Sequence, residues 1–253
     1  SNKLTYEQKL KNLAGIAENE LAVLPISEKT AYYFSTGAIN DLFEGHAPYR
    51  PRYVMPDYDR YLRNGSEFLR VKPPKTLDEA IFALMMLYHH VPSITSFPVY
   101  LGSLDTLLEP YCKDLSDDEI KEKLRLFLNF LDRTIDDSFC HANIGPVETR
   151  VGNLLLDVEA ELENTVPNLT IKFDKDITSD AFMKKAIMCS LKCSNPAICN
   201  DKANRDYYNG GYGISSCYNI LPIRGGSYTL TRVTLTKLIE ETTDIEKFIN
   251  VVL

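Results

Sequence analysis

Asn209-Gly-Gly-Tyr-Gly-Ile-Ser-Ser-Cys-Tyr-Asn-Ile-Leu-Pro-Ile-Arg-Gly-Gly226 is the stretch on which the reading of this chain turns. Three glycines stand just ahead of Cys217 and two follow it. Glycine lets a backbone turn tightly or lie close against another backbone. The pattern therefore predicts a constrained loop with Cys217 near its tip, set in an apolar run of Ile214, Ile220, Leu221 and Ile223. A thiol held there is either packing filler or a reactive group presented to a cavity. Gly210-Gly211-x-Gly213 lacks the Lys-Ser/Thr of a phosphate loop and the spacing of a dinucleotide loop.

A thiolate nucleophile needs a nearby base. His141 is the best candidate, and no basic residue follows Cys217 before Arg224. A radical mechanism asks less of the surroundings, because a hydrogen atom leaves the thiol rather than a proton. It needs a neutral thiol in an apolar pocket that excludes water. The isoleucines and leucine around Cys217 suit that chemistry.

The second dense stretch is Ser138-Phe-Cys-His-Ala-Asn-Ile-Gly-Pro146. Strand side chains alternate, so His141 and Asn143 share one face of an extended segment, and Gly145-Pro146 then forces a turn. The pair is substrate-binding material, or a satisfied structural pair. Cys189-x3-Cys193-x5-Cys199, with Cys217 or His141 as fourth ligand, invites a zinc reading. Structural zinc sites instead use closely spaced pairs on turns, while Cys189 and Cys193 fall one turn apart on an expected helix. No metal is expected.

Outward from these stretches the chain reads as helices first, then strands alternating with helices. Thr5…Gln8, Thr76…Glu79 and Ser116…Glu119 each match a capping box ahead of an apolar periodic run. Pro92 ends the second of these helices. Further helices are expected from Ser179 through Leu191 and after Thr243. Leu169–Phe173 and Tyr228–Leu235 read as strands, Gly213–Leu221 as a strand or strand-like loop, and His46–Pro56 as a loop or extended arm. This order predicts an α/β barrel or sheet with the early helices outside it.

The chain has 253 residues, 28 Lys+Arg against 35 Asp+Glu, a net charge of −7 and a hydrophobic fraction of 44%. These values exclude a disordered or collagen-like chain. The acidic balance argues against a protein that coats nucleic acid. No apolar run is long enough to span a bilayer, and no leader opens the chain, so a cytoplasmic location and no membrane partner are expected. Six cysteines at this length fit a reduced setting better than a disulfide scaffold. The amphipathic ending at Val251-Val252-Leu253 reads as the interior of a longer protein.

Two segments together resemble the glycyl radical enzymes. Leu101-Gly-Ser-Leu-Asp-Thr-Leu-Leu-Glu-Pro-Tyr111 resembles a recurring segment of that family. Tyr212-Gly-Ile-Ser-Ser-Cys217, followed by Gly225-Gly-Ser-Tyr-Thr-Leu-Thr-Arg-Val-Thr-Leu235, resembles the cysteine loop and next strand of the anaerobic (class III) ribonucleotide reductases. Over residues 50 to 250 the chain is most similar to the N-terminal half of the YjjI family of glycine radical enzymes, related to pyruvate formate-lyase.

The resemblance implies an α/β fold, with N-terminal helices and part of a ten-stranded α/β barrel. Residues 1–135 would be a mainly helical region outside the barrel. Residues 136–253 would be a half-barrel with the cysteine finger loop, continuous with it. Cys217 matches the cysteine that becomes a thiyl radical and abstracts hydrogen from a small substrate of anaerobic metabolism. His141, Asn143, Tyr218 and Asn219 would line the cavity. The chain itself would bind no cofactor. A glycyl radical in the missing C-terminal half would be made by an activating enzyme with an iron–sulfur cluster and S-adenosylmethionine. A homo-oligomer would cover the open strand edges.

The departures are specific. Tyr218 stands where the reductases have Arg, and Thr234-Leu-Thr-Lys237 stands in place of their Asn-Leu-Pro-Arg. The Arg-Val-x-Gly-aromatic radical motif is absent from these residues, so the fragment is expected to be inactive alone. The alternatives are a non-catalytic helical and β scaffold that binds a partner through the glycine-rich loop, and a ribonucleotide reductase-like activity.

Overall fold

The computed structural model describes residues 3–21, 26–42, 51–95, 99–133, 140–164, 166–209, 211–215, 219–227, 230–239, 244 and 246–247. The chain divides into two compact units, one of Ser1–Arg52 with Ser227–Leu253 and one of Tyr53–Gly226.

The first unit contains α1 (Tyr6–Leu21), α2 (Glu28–Thr36) and β1 (Ile39–Leu42), with β10 (Leu230–Val233) and α10 (Leu235–Ile239) from the other end of the chain. The first capping box closes in both directions: Thr5 N–H donates to Gln8 Oε1 at 3.0 Å and Gln8 N–H to Thr5 Oγ1 at 3.3 Å. α1 leaves Leu13 and Ile16 exposed, although both belong to its expected apolar face. Periodicity decides that the helix forms, not what covers it. β1 and β10 pair antiparallel, Ile39 opposite Val233 and Leu42 opposite Leu230. The strand expected over Tyr228–Leu235 is therefore observed as β10. The helix expected after Thr243 lies largely outside the described residues.

The second unit holds β2 (Tyr53–Val54), α3 (Tyr58–Asn64), α4 (Leu77–His90), β3 (Val99–Ser103), α5 (Leu104–Leu108), α6 (Asp117–Arg133) and β4 (Cys140–Ile144). It continues with α7 (Arg150–Leu162), β5 (Asn168–Phe173), α8 (Asp180–Cys193), β6 (Ala197–Asn200), α9 (Asp201–Tyr207), β7 (Tyr212–Ser215) and β8 (Asn219–Pro222). The short β9 (Gly226–Ser227) pairs with β2.

Its centre is a four-stranded sheet in the order β3-β4-β5-β6, every pair parallel. Consecutive strands are joined by helices, as parallel pairing requires. Alternation gives the sheet two faces. Cys140, Ala142, Ile144, Leu169 and Ile171 enter one core with Leu124, Phe127 and Leu128 of α6, Leu155 and Val158 of α7, and Phe182 and Ala186 of α8. The other face carries Tyr100, His141, Asn143, Thr170 and Lys172, set side by side by the register. Burial on both faces is the mark of a parallel sheet inside an α/β protein.

The mixed α/β class expected from the sequence is the one observed. Three details differ. The sheet begins at β3, inside the 1–135 stretch expected to be mainly helical. Gly213–Leu221 forms two strands rather than one. α7 and β6 carried no expectation: α7 is capped by Thr149, whose Oγ1 accepts from Gly152 N–H at 2.9 Å, without the Glu or Gln three residues on that marks a capping box. β6, only four residues long, is too short to show a period.

Candidate functional site

β7 and β8 form an antiparallel hairpin: Tyr212 is opposite Pro222, Gly213 opposite Leu221, Ile214 opposite Ile220 and Ser215 opposite Asn219. The hairpin packs on the sheet face that carries His141 and Asn143, against β3 and β4. Cys217 and Tyr218 fall between Ser215 and Asn219 and lie outside the described residues.

Asn143 fastens the hairpin to the sheet. Its Oδ1 accepts from Ile214 N–H at 2.9 Å, and its Nδ2 donates to Ile214 O at 3.0 Å. Tyr100 Oη donates to the same Oδ1 at 3.3 Å. The side chain is fully buried and does for Ile214 what a neighbouring strand would do. A second fastening lies at the base, where Lys172 Nζ donates to Tyr212 O at 3.1 Å and sits 4.3 Å from the centre of the Tyr212 ring. Tyr212 Oη in turn donates to Asp201 Oδ1 at 2.6 Å. On the second strand, Tyr208 Oη donates to Ile220 O at 2.9 Å.

Gly213 is what allows this approach. A Cβ there would stand 2.4 Å from Tyr100 Cζ and 2.7 Å from Met55 Cε, distances that no carbon contact tolerates. The order of the fastenings sets the hairpin's direction. Tyr212 is held by Lys172, which lies beyond the level of Asn143 in the sheet register, and Ile214 is held by Asn143 itself. β7 therefore runs antiparallel to β4, and its Ser215 end heads toward the level of His141.

That end of the face is buried, polar and uncharged. His141 is buried, and desolvation pushes its imidazole down to about 4, so it is neutral at pH 7. Its Nε2 has no hydrogen-bond partner among the described residues, and neither has Ser215 Oγ, which is also fully buried. Asn219 is half-buried opposite Ser215.

Of the expected site residues, the structure brings His141 and Asn143 onto one face beneath the hairpin, as the alternation of β4 predicts. It gives Asn143 to the hairpin backbone. Tyr100 and Lys172 were missed as partners. Tyr100 directly precedes the Leu101–Tyr111 segment, and Lys172 interrupts the apolar strand Leu169–Phe173, so both carried a signal. Asp105, inside that segment, accepts from Gly145 N–H at 2.7 Å and ties α5 to the turn after β4. Burial raises its carboxyl to about 6. Among the described residues no cluster of three or more His, Cys, Asp or Glu side chains could hold a metal. Cys189 and Cys193 lie with their sulfurs 3.8 Å apart along one turn of α8.

A family model described as "Glycyl radical enzyme YjjI-like" matches residues 4–253. This chain belongs to that family. The protein named "Uncharacterized protein YjjI" of Escherichia coli strain K12 is 46% identical over 246 residues, covering 97% of this chain and 48% of that protein. An uncharacterized protein of Haemophilus influenzae is 48% identical over 238 residues, covering 93% of this chain and 46% of that protein. The chain thus spans about half the length of the curated relatives it matches.

Among solved structures, the fold is shared with the anaerobic ribonucleotide reductase of Thermotoga maritima. Its complex with dATP and CTP superposes with a TM-score of 0.66 at 14% identity, over 88% of this chain and 46% of that one. The form with glycerol in its active site gives 0.63 at 14% identity, over 88% and 45%. The α/β sheet of this YjjI-like glycyl radical enzyme chain is therefore part of a barrel of the kind found in those reductases. No helix among the described residues is long and apolar enough to cross a membrane.

Proposed function

We propose that the chain supplies the cysteine half of a glycyl radical enzyme, with Cys217 as the residue that abstracts hydrogen from a small substrate. The observation that carries the reading is the hairpin whose strands flank Cys217 in sequence, pinned by Asn143 and Lys172 to the His141 face of the parallel sheet. Family membership agrees with it.

The surroundings fit hydrogen-atom transfer rather than thiolate chemistry. A neutral imidazole at His141 offers no cation to hold a thiolate, and the buried flanks at Ile214 and Ser215 limit water. A glycyl radical elsewhere in the full-length protein, formed by an S-adenosylmethionine iron–sulfur activase, would supply the unpaired electron. Cys217 gives its S–H hydrogen atom to that carbon and becomes a thiyl. The thiyl then takes one hydrogen atom from substrate and returns it to product. In this reading His141, Asn219 and Tyr218 are the substrate-binding residues, and Asn143 positions the loop.

Electron paramagnetic resonance of the activated full-length protein in D2O tests this without a known substrate. The glycyl Cα hydrogen exchanges with solvent only through an S–H, so the signal's hydrogen splitting should collapse in the wild type. Cys217→Ser should form the radical and keep the splitting. Collapse at the wild-type rate in that variant would remove Cys217 from the mechanism.

A further inference from the structure

A pocket of about 240 Å³ lies at the base of the hairpin, on the side away from Ser215. Tyr58, Tyr100, Leu107 and Ile223 give it apolar walls, while Lys172 and Tyr212 close its inner end. Lys172 is more than nine-tenths buried. Its ammonium can donate three hydrogen bonds, and the described residues provide one acceptor, Tyr212 O. No carboxylate forms a direct ion pair with it among those residues; Asp201 and Asp105 favour its charge through space without filling its donors. The two acids at the rim are already occupied: Asp57 by both Arg224 and the Arg60 N–H, Asp59 by Arg63.

A buried cation with unfilled donors is costly unless an acceptor completes it. We infer that this pocket is a binding site for a small carboxylate with a short apolar body, its oxygens on Lys172 and its carbons against the tyrosine and leucine walls. One ammonium without a second cation suits a singly charged carboxylate better than a phosphate, which draws several donors. The site is separate from the cysteine end of the hairpin. Tyr212 is five residues ahead of Cys217, a span far longer than a small acid. The same ammonium holds Tyr212 O, so a bound carboxylate touches the hairpin's anchor directly. The inference stands on the pocket and does not depend on the radical reading.

The test is calorimetric titration of the full-length protein with acetate, propionate and butyrate at constant ionic strength, with chloride as the control anion. Saturable one-to-one binding of at least one acid is expected, with chloride silent. Lys172→Met should weaken it about 10- to 100-fold, the loss of one charge-assisted hydrogen bond. Thr106→Trp, at an exposed position on the rim, should block entry while leaving Lys172 in place. If Lys172→Met does not fold, Thr106→Trp decides alone. Non-saturable heats, or affinity unchanged in the variants that fold, would overturn the site.

Discussion

Asn143 hydrogen-bonds both backbone polar groups of Ile214, the N–H at 2.9 Å and the carbonyl at 3.0 Å. This one side chain joins the barrel-type sheet to the hairpin that contains Cys217. Removing it leaves two buried backbone groups unpaired, each worth about 1–3 kcal/mol. Asn143→Ala should therefore lower unfolding stability by about 2–6 kcal/mol, measured by denaturant titration of the full-length protein. Asn143→Asp should do no better, because it places a second acceptor against Ile214 O. A loss below about 0.5 kcal/mol for Asn143→Ala would mean that the hairpin holds itself.

Gly213 and Tyr100 form a coupled pair. Gly213→Ala drives a methyl group into the Tyr100 ring and the Met55 methyl, and overpacking of this kind costs about 1–3 kcal/mol. Tyr100→Leu in the same chain makes room. The double variant should be more stable than the sum of the two single losses. A strictly additive result in the double-mutant cycle would show that the ring is not what excludes the methyl.

His141 makes stability fall with acid. It is neutral in the fold, with its value pushed down to about 4 by burial, against about 6.5 in the unfolded chain. Between those values the unfolded state binds more protons, so lowering the pH favours unfolding. The stability is fully present above about pH 6.5 and is lost progressively toward pH 4, up to about 3 kcal/mol. His141→Gln should flatten this part of the pH profile of the denaturation midpoint. An unchanged slope would show that another group is responsible.

Glu159 acts with the opposite sign. It is buried on α7, accepts from Asn195 Nδ2 at 2.6 Å, and desolvation raises its carboxyl to about 7. The fold binds the extra proton between about 4.5 and 7, so stability falls as the pH rises through that window, by up to about 3 kcal/mol. Glu159→Gln keeps the acceptor for Asn195 and removes the charge. At pH 8 this variant should be more stable than the wild type, and at pH 4 nearly equal to it. Equal loss at both pH values would show that the carboxyl is ionised in the fold.

Local signals told the sequence reading which segments are regular. Capping boxes at Thr5 and Ser116 close as paired hydrogen bonds, and the alternation in Cys140–Ile144 puts His141 and Asn143 on one face. Such features depend on neighbours a few residues apart, so a sequence displays them directly. The glycines ahead of Cys217 also announced a close approach, and Gly213 makes one, against the Tyr100 and Met55 side chains rather than against another backbone.

What the sequence by itself determined is the α/β class and the family. Only the tertiary structure decided what touches the hairpin. Nothing local in Asn143 distinguishes a substrate ligand from an anchor, because its partner is 71 residues away. The pairing of Lys172 with Tyr212, 40 residues apart, is equally silent. Parallel pairing brings distant segments side by side through crossovers whose length fixes no register. The roles of these side chains are set by packing over long loops, and they become legible only once the sheet has closed against the hairpin.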